Sequence, residues 1–313
     1  MKKIGLIFPG QGSQQMGMGK DLFDRFSVAR EVFREANESL GYDIASLCFQ
    51  GPEEDLQLTA NTQPAILTTA IAALRVMQAE TPIIPVAAAG HSLGEYGALV
   101  ASGGLRFADA VRLVNLRGKF MQEAVPVGTG AMAAILGLSP AEVEDLCQEA
   151  RQGEVLSPAN FNSPGQIVIA GHSRAVNRAV EIVTKKAGKK AVLLPVSAPF
   201  HCALMKPAAE RLDRELAKLP LMDLHYPVLS NAVADYYPAN HQIRDLLVQQ
   251  VDHAVRWEEC MQKMIGAGVN LFLEVGPGKV LSGLLRRINR EVKVANVEDG
   301  QSWEKARELL AGD

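Results

Sequence analysis

Residues Val86 to Tyr96 read VAAAGHSLGEY. A short run of small apolar residues stops at Gly90-His91-Ser92-Leu93-Gly94, and an apolar stretch of helical character resumes from Leu93 to Val100. The pattern is G-x-S-x-G: a strand, a sharp turn and a helix, with the middle serine raised at the top of a sheet. A side chain at either glycine would clash in so tight a turn. The helix that follows aims its N-terminal N–H groups at Ser92, where they can stabilise negative charge developing on a carbonyl under attack. A Gly-Ser turn that fits the pattern by chance is the alternative. The strand before and the helix after are what the motif requires, so Ser92 is read as a nucleophile in an α/β fold.

The rest of the chain allows that reading. Its 313 residues suit one large domain or two modest ones. A hydrophobic fraction of 48% against 21% charged is the balance of a soluble globular protein with a sizeable core. A net charge of -3 gives no reason to expect nucleic acid as a partner. Cys48, Cys147, Cys202 and Cys260 are far apart and contain no C-x-x-C, which points to a reduced, cytoplasmic chain rather than a disulfide framework or a zinc site. The basic start, Met1-Lys2-Lys3, is followed by an apolar run that ends at Phe8, so no signal peptide or membrane span is expected.

Upstream of the serine, Lys3 to Phe8 reads as a buried first strand that breaks at Pro9-Gly10-Gln11-Gly12-Ser13-Gln14. A dinucleotide fingerprint would need glycine at Gln15. A P-loop would need glycine at Gln14 and Ser or Thr at Asp21. The loop is therefore glycine-rich without a phosphate signature. Gln11 either supplies an amide or a backbone N–H to a site there or belongs to a polar turn. Helices are expected over Ser27–Leu40 and Thr62–Ala79, with Pro64 in a first turn that tolerates it.

Downstream, Arg106 to Ala124 reads as an amphipathic helix with Ala110, Leu113, Val114, Phe120, Met121 and Ala124 on one face. Arg117 falls in the middle of that face. A buried guanidinium must find an anion. Two partners are open: a structural carboxylate in an internal salt bridge, or the carboxylate of a substrate held in two-pronged fashion.

From Gly128 the texture changes. Gly130–Gly137 is strand-like, and Ser139 with Glu142 forms a capping box that opens a helix to Ala150. Strands at Val155–Asn160 and Gln166–Ala170 flank the turn cluster Asn162-Ser163-Pro164-Gly165. A helix over Arg174–Ala187 and a strand over Lys190–Val196 complete βαββαβ, the order of a ferredoxin-like unit. Its end carries Lys185, Lys186, Lys189 and Lys190, either a solvated surface or a face for an acidic partner. Ser197-Ala198-Pro199-Phe200-His201-Cys202 follows where the chain should return to the larger unit. His201 there is either a structural histidine or the base that a serine nucleophile needs; Cys202 is read as a small packing residue.

Beyond it, Met205–Leu219 reads as helix, Tyr226–Asn231 as strand, and Ile243–Val255 as a helix running on towards Trp257 and Met264. Leu271–Val275 is a buried strand, Lys279–Ile288 a helix with Arg286, Arg287 and Arg290 near its end, and Val292–Val297 a last strand. Strands alternating with helices imply a mostly parallel sheet covered on both faces. The expected architecture is a large α/β-hydrolase-like domain, residues 1–127 and 205–313. A small ferredoxin-like subdomain, residues 128–204, is inserted in it, and a site lies in the cleft between.

FPGQGSQ (Phe8 to Gln14), TQPA (Thr62 to Ala65), GHSLGEY (Gly90 to Tyr96), the Arg117 helix, PFH (Pro199 to His201) and EVGPGKVL (Glu274 to Leu281) span the chain in one order. In that set the chain resembles the bacterial malonyl-CoA:acyl carrier protein transacylases of fatty-acid synthesis. Cys202 departs from it, since members often have serine there. The resemblance implies a malonyl-serine intermediate at Ser92, with His201 as base. It also implies an oxyanion hole from the N–H groups of Gln11 and Leu93, and Arg117 on the malonyl carboxylate. The backbone carbonyl of Gln250 would orient the histidine in place of an acid. It implies no cofactor and no metal. The partners implied are malonyl-CoA and, transiently, an acidic acyl carrier protein, for which Lys185–Lys190 and Arg286–Arg290 are candidate docking clusters. A monomer is expected. The surface around Ala198-Pro199-Phe200 resembles that of malonyl-selective members. Three rivals remain: a serine esterase or thioesterase on a related scaffold, a non-catalytic carrier-protein docking module, and an acyltransferase of a polyketide pathway.

Overall fold

Alternate residues of the first strand go to opposite cores. A computed structural model of the chain describes residues 2–186, 188–196 and 198–312; the expected helix end at Ala187 and the junction residue Ser197 lie outside the described residues. Within β1 (Ile4–Phe8), Leu6 and Phe8 pack into one hydrophobic cluster and Ile7 into another. β2 (Ala87–Gly90) divides likewise, Ala88 from Ala87 and Ala89. A strand has a side-chain period of two, so a sheet with both faces covered needs apolar residues at every position. That is why these strands read as unbroken apolar runs.

The other strands are β3 (Gly130–Leu136), β4 (Leu156–Ser163), β5 (Gln166–His172), β6 (Lys190–Leu193), β7 (Leu229–Ser230), β8 (Asp235–Tyr236), β9 (Leu271–Val275) and β10 (Lys293–Val297). β10, β9, β1 and β2 form a parallel sheet in that order. The larger core on one face takes the helices Ser27–Leu40, Thr59–Glu80, Gly94–Ala101 and Phe107–Glu123. The other face is covered by Trp257–Gly266 and Val280–Ile288. β3 to β6 form a second sheet, antiparallel and ordered β4-β5-β3-β6, backed by the helices Pro140–Arg151 and Ser173–Thr184. This is the ferredoxin-like order expected. The capping box at its first helix is present: Ser139 Oγ accepts from Glu142 N–H, and the Glu142 carboxylate accepts from Ser139 N–H.

Three expectations need correction. The helix expected over Thr62–Ala79 starts at Thr59, so Pro64 lies inside it rather than in its first turn. The carbonyl of Ala60, which the missing N–H of Pro64 leaves free, accepts instead from Asn115 Nδ2 at 2.8 Å. The helix from Ile243 does not run on to Met264; it stops at Asp252 and a new one begins at Trp257. Val255 in the gap bonds to β4 through both its N–H (to Ala159 O, 2.9 Å) and its carbonyl (from Phe161 N–H, 2.9 Å), and so stitches the two units together. The expected strand Tyr226–Asn231 shrinks to Leu229–Ser230, with Val228 bridging Ala88 of β2. Pro227 has no N–H to give a ladder, and the N–H of Asn231 goes to a side chain, Glu95.

Candidate active site

β2 ends at Gly90, and the Gly94–Ala101 helix begins four residues on. A Cβ on Gly94 would lie 2.0 Å from Phe8 O, and one on Gly90 would lie 1.9 Å from the Gly94 carbonyl. Only glycine lets the helix start so close to the strand, which bears out the tight turn. Ser92, between them, has φ 51°, a left-handed backbone that costs a non-glycine residue of order 1–3 kcal/mol and needs external support. Asn231 supplies it. Its Oδ1 accepts from Ser92 N–H at 2.7 Å and its Nδ2 donates to Gly90 O at 2.8 Å.

His201 also has a left-handed backbone, φ 59°, just after Phe200. Its Nδ1 lies 2.7 Å from Gln250 O and its Nε2 2.7 Å from Ser92 Oγ. A carbonyl only accepts, so Nδ1 carries the proton, Nε2 is the free lone pair, and the Ser92 hydroxyl donates to it. Burial, and then the nearby Arg117 cation, push the imidazole down to about 3, so it rests neutral, as a base must.

Arg117 is 1% exposed. Nη1 donates to Gln63 Oε1 at 2.8 Å, and Nη2 to Gln250 Oε1 at 2.9 Å and to Ser92 Oγ at 3.1 Å, while Nε has no partner among the described residues. Among the described residues it makes no salt bridge, so the internal ion pair weighed from the sequence is not what holds it. A guanidinium held by amides, a hydroxyl and the face of the Tyr96 ring keeps its charge for a further anion. Burial depresses its pKa.

These groups open on a cavity of about 460 Å³. Gln11 and Leu93 line it beside Ser92, and neither backbone N–H has a partner among the described residues. Both therefore remain available to an oxyanion. Gly10 lets the first loop lie this close, since a Cβ there would sit 2.4 Å from His91 O. Met132 and Asn160 of the antiparallel sheet, with Leu194 to Val196 and Phe200, form the other wall. Cys202 is buried, its thiol donates to Pro199 O at 3.1 Å, and burial pushes its pKa up to about 11, so it packs as expected. Among the described residues no group of three or more His, Cys, Asp or Glu could hold a metal ion.

Of the six residues singled out from the sequence, Gln11, Ser92, Leu93, Arg117 and His201 line this cavity, and Gln250 lies behind it, bonded to His201 and Arg117. Four others were missed. Gln63 holds Arg117, Asn231 braces the serine turn, and Tyr237 donates to Glu95. Glu95 is fully buried, accepting from Asn231 N–H and Gln250 Nε2, each at 2.8 Å. A single carboxylate within the apolar helix after Ser92 was a readable signal, by the logic that flagged Arg117. The Gln250 side chain was missed as well: besides its carbonyl, its amide bonds Arg117, Glu95 and Ser92 O.

A serine on a strand-to-helix turn, paired with a neutral imidazole beside an amide-lined arginine, defines an acyltransferase-type site. The family model described as acyl transferase domain matches residues 6–304. The malonyl CoA-acyl carrier protein transacylase of Escherichia coli (strain K12) is 49% identical over 309 residues, covering 99% of this chain and all of that protein. The structure of the malonyl CoA-acyl carrier protein transacylase from Coxiella burnetii superposes with a TM-score of 0.97 at 42% identity, covering 99% of this chain and 98% of that one. A malonyl-transacylase solved in complex with a type II PKS acyl-carrier protein matches with a TM-score of 0.95 at 47% identity, covering 98% of this chain and all of that one. The chain belongs to the malonyl CoA-acyl carrier protein transacylase family.

Proposed function

We propose that this protein transfers the malonyl group of malonyl-CoA to the phosphopantetheine thiol of an acyl carrier protein, through an ester on Ser92. The carrying observation is the Ser92 Oγ–His201 Nε2 contact of 2.7 Å beside a buried guanidinium that has no carboxylate in contact among the described residues. Ser92 Oγ attacks the thioester carbonyl while His201 Nε2 takes its proton. The oxyanion is met by the N–H groups of Gln11 and Leu93. His201 returns the proton to the departing CoA sulfur. In the second half-reaction the carrier-protein thiol gives its proton to His201 and attacks the ester, and the proton returns to Ser92. Gln250 O holds Nδ1–H throughout, the role an acid plays in esterases, and its use here favours transfer over the esterase rival. Arg117 receives the malonyl carboxylate. That contact cancels the cation that depresses His201, so an acid-bearing acyl group strengthens its own base.

The reading assigns the cleft between residues 128–204 and the remainder to the acyl chain. Arg286, Arg287, Arg290 and Lys293, which line one surface depression, are assigned to the acidic carrier. It needs no cofactor or metal, and places the chain as a monomer in the cytoplasm, in fatty-acid synthesis. Polyketide synthesis is the second reading, favoured by the carrier-bound relative. The test offers malonyl-, methylmalonyl- and acetyl-CoA with purified carrier proteins of both kinds. Malonyl transfer fastest to a fatty-acid carrier supports the proposal. Rapid hydrolysis of simple esters without transfer overturns it.

A further inference from the structure

Arg117 has an anion within its field but not in contact. The Gln250 amide stands between them: Oε1 accepts from Arg117 Nη2 at 2.9 Å and Nε2 donates to Glu95 Oε2 at 2.8 Å. Glu95 Oε2 also accepts from Asn231 N–H, while Oε1 is bonded to the Tyr237 hydroxyl. The two N–H donors at Oε2 cannot reverse. The Tyr237 hydroxyl can, so a proton has a place on Oε1 where it breaks no contact. The titratable and charged groups facing Glu95 are Arg117, Tyr237, the adjacent Tyr96, and Cys260 from the Trp257–Gly266 helix. Burial raises the two tyrosines and the cysteine, which stay neutral at physiological pH, so among the described residues Arg117 is the single charge opposite the carboxylate.

Guanidinium and carboxylate together are neutral. A second carboxylate brought to Arg117 leaves the buried cluster with one net negative charge, which a low-dielectric interior penalises. A proton on Glu95 restores neutrality. We propose that Glu95 is the resident counter-charge of Arg117, and that arrival of an acyl carboxylate at Arg117 is balanced by uptake of a solvent proton at Glu95 Oε1. Burial already holds the carboxyl high, up to about 7, so the proton is close to hand near neutral pH. Glu95 acts through Gln250 and Asn231 and is a positioning residue. An acyl group without an acid brings no charge and draws no proton, so the device discriminates by charge. The inference rests on the malonyl-transfer reading.

Linkage sets the sign. The bound form has the higher Glu95 pKa, so malonyl binding is tightest where Glu95 is already protonated. The malonyl KM rises with pH above about 7, by up to roughly tenfold per unit. The test adds malonyl-CoA to the protein in weakly buffered solution with an indicator dye. Wild type is expected to take up a fraction of a proton near pH 7 and close to one near pH 8. Glu95→Gln copies the protonated form, with its amide donating to Tyr237. It is expected to take up none as its adduct forms, and to show a flat KM across the same range. Should that variant fold poorly, Tyr237→Phe decides: loss of a donor to Oε1 raises the Glu95 pKa and moves the onset of the KM rise to higher pH. Adduct formation in wild type without uptake overturns the inference, as does equal uptake in Glu95→Gln or an unmoved onset in Tyr237→Phe. Failure of wild type to form any malonyl adduct refutes the transfer reading instead.

Discussion

Replacing Arg117 with alanine separates the charge of the acyl group from the chemistry of the ester. With malonyl-CoA the variant loses a desolvated charge contact of the kind that costs about 2–5 kcal/mol, or roughly 30- to 5,000-fold in kcat/KM. With acetyl-CoA that contact never forms. Two smaller effects remain and oppose each other. The 3.1 Å bond from Nη2 to Ser92 Oγ is lost, worth about 0.5–1.5 kcal/mol and at most roughly tenfold. The cation that depresses His201 is also lost, which makes the imidazole a stronger base. The expected result is a malonyl-to-acetyl preference that collapses by roughly two orders of magnitude, read as the ratio of kcat/KM values with the same carrier protein. The substitution also strands the Gln63 and Gln250 oxygens that Arg117 bonds. Circular dichroism at the assay temperature therefore checks that the comparison is made on folded protein. Equal losses with both acyl groups would refute the clamp.

Other outcomes follow from the same geometry. Ser92→Ala abolishes the covalent malonyl adduct; a labelled adduct that persists by mass spectrometry moves the nucleophile elsewhere. Gly94→Ala puts a methyl 2.0 Å from Phe8 O and is expected to cost at least about 3 kcal/mol in urea unfolding, a loss under 1 showing that the turn can relax. His201 is buried neutral, with its pKa down from 6.5 to about 3, so the unfolded chain binds the extra proton. That contribution lowers stability as pH falls below about 6.5, by up to roughly 1.4 kcal/mol per pH unit. His201→Gln removes this slope, and identical pH–stability curves for the two proteins would mean that His201 is solvated.

Much of this was legible from local pattern. The apolar runs at Lys3–Phe8, from Val86 to the turn at Gly90, and at Leu271–Val275 announced buried strands because period-two geometry exposes both faces of a strand to a core. G-x-S-x-G announced its turn because no other residue fits where Phe8 O and the Gly94 carbonyl approach. Arg117 stood out because a charge on an apolar helical face demands an explanation. Chain direction, glycine positions and helical period are properties of neighbours in sequence, and sequence carries them.

Tertiary structure decided what depends on distant partners. The break at His253–Arg256 arises because Val255 bonds to β4, almost a hundred positions earlier. Pro64 sits within a helix because Asn115, on another helix, satisfies the carbonyl it strands. The choice between an internal salt bridge and a free guanidinium at Arg117 turned on where Gln63 and Gln250 came to rest. The carboxylate that balances it does so through an amide between them. A hydrogen bond is specified by a few ångströms of three-dimensional separation, and residues 92, 117, 201, 231 and 250 acquire that separation only when the parallel sheet, its helices and the segment carrying His201 pack together.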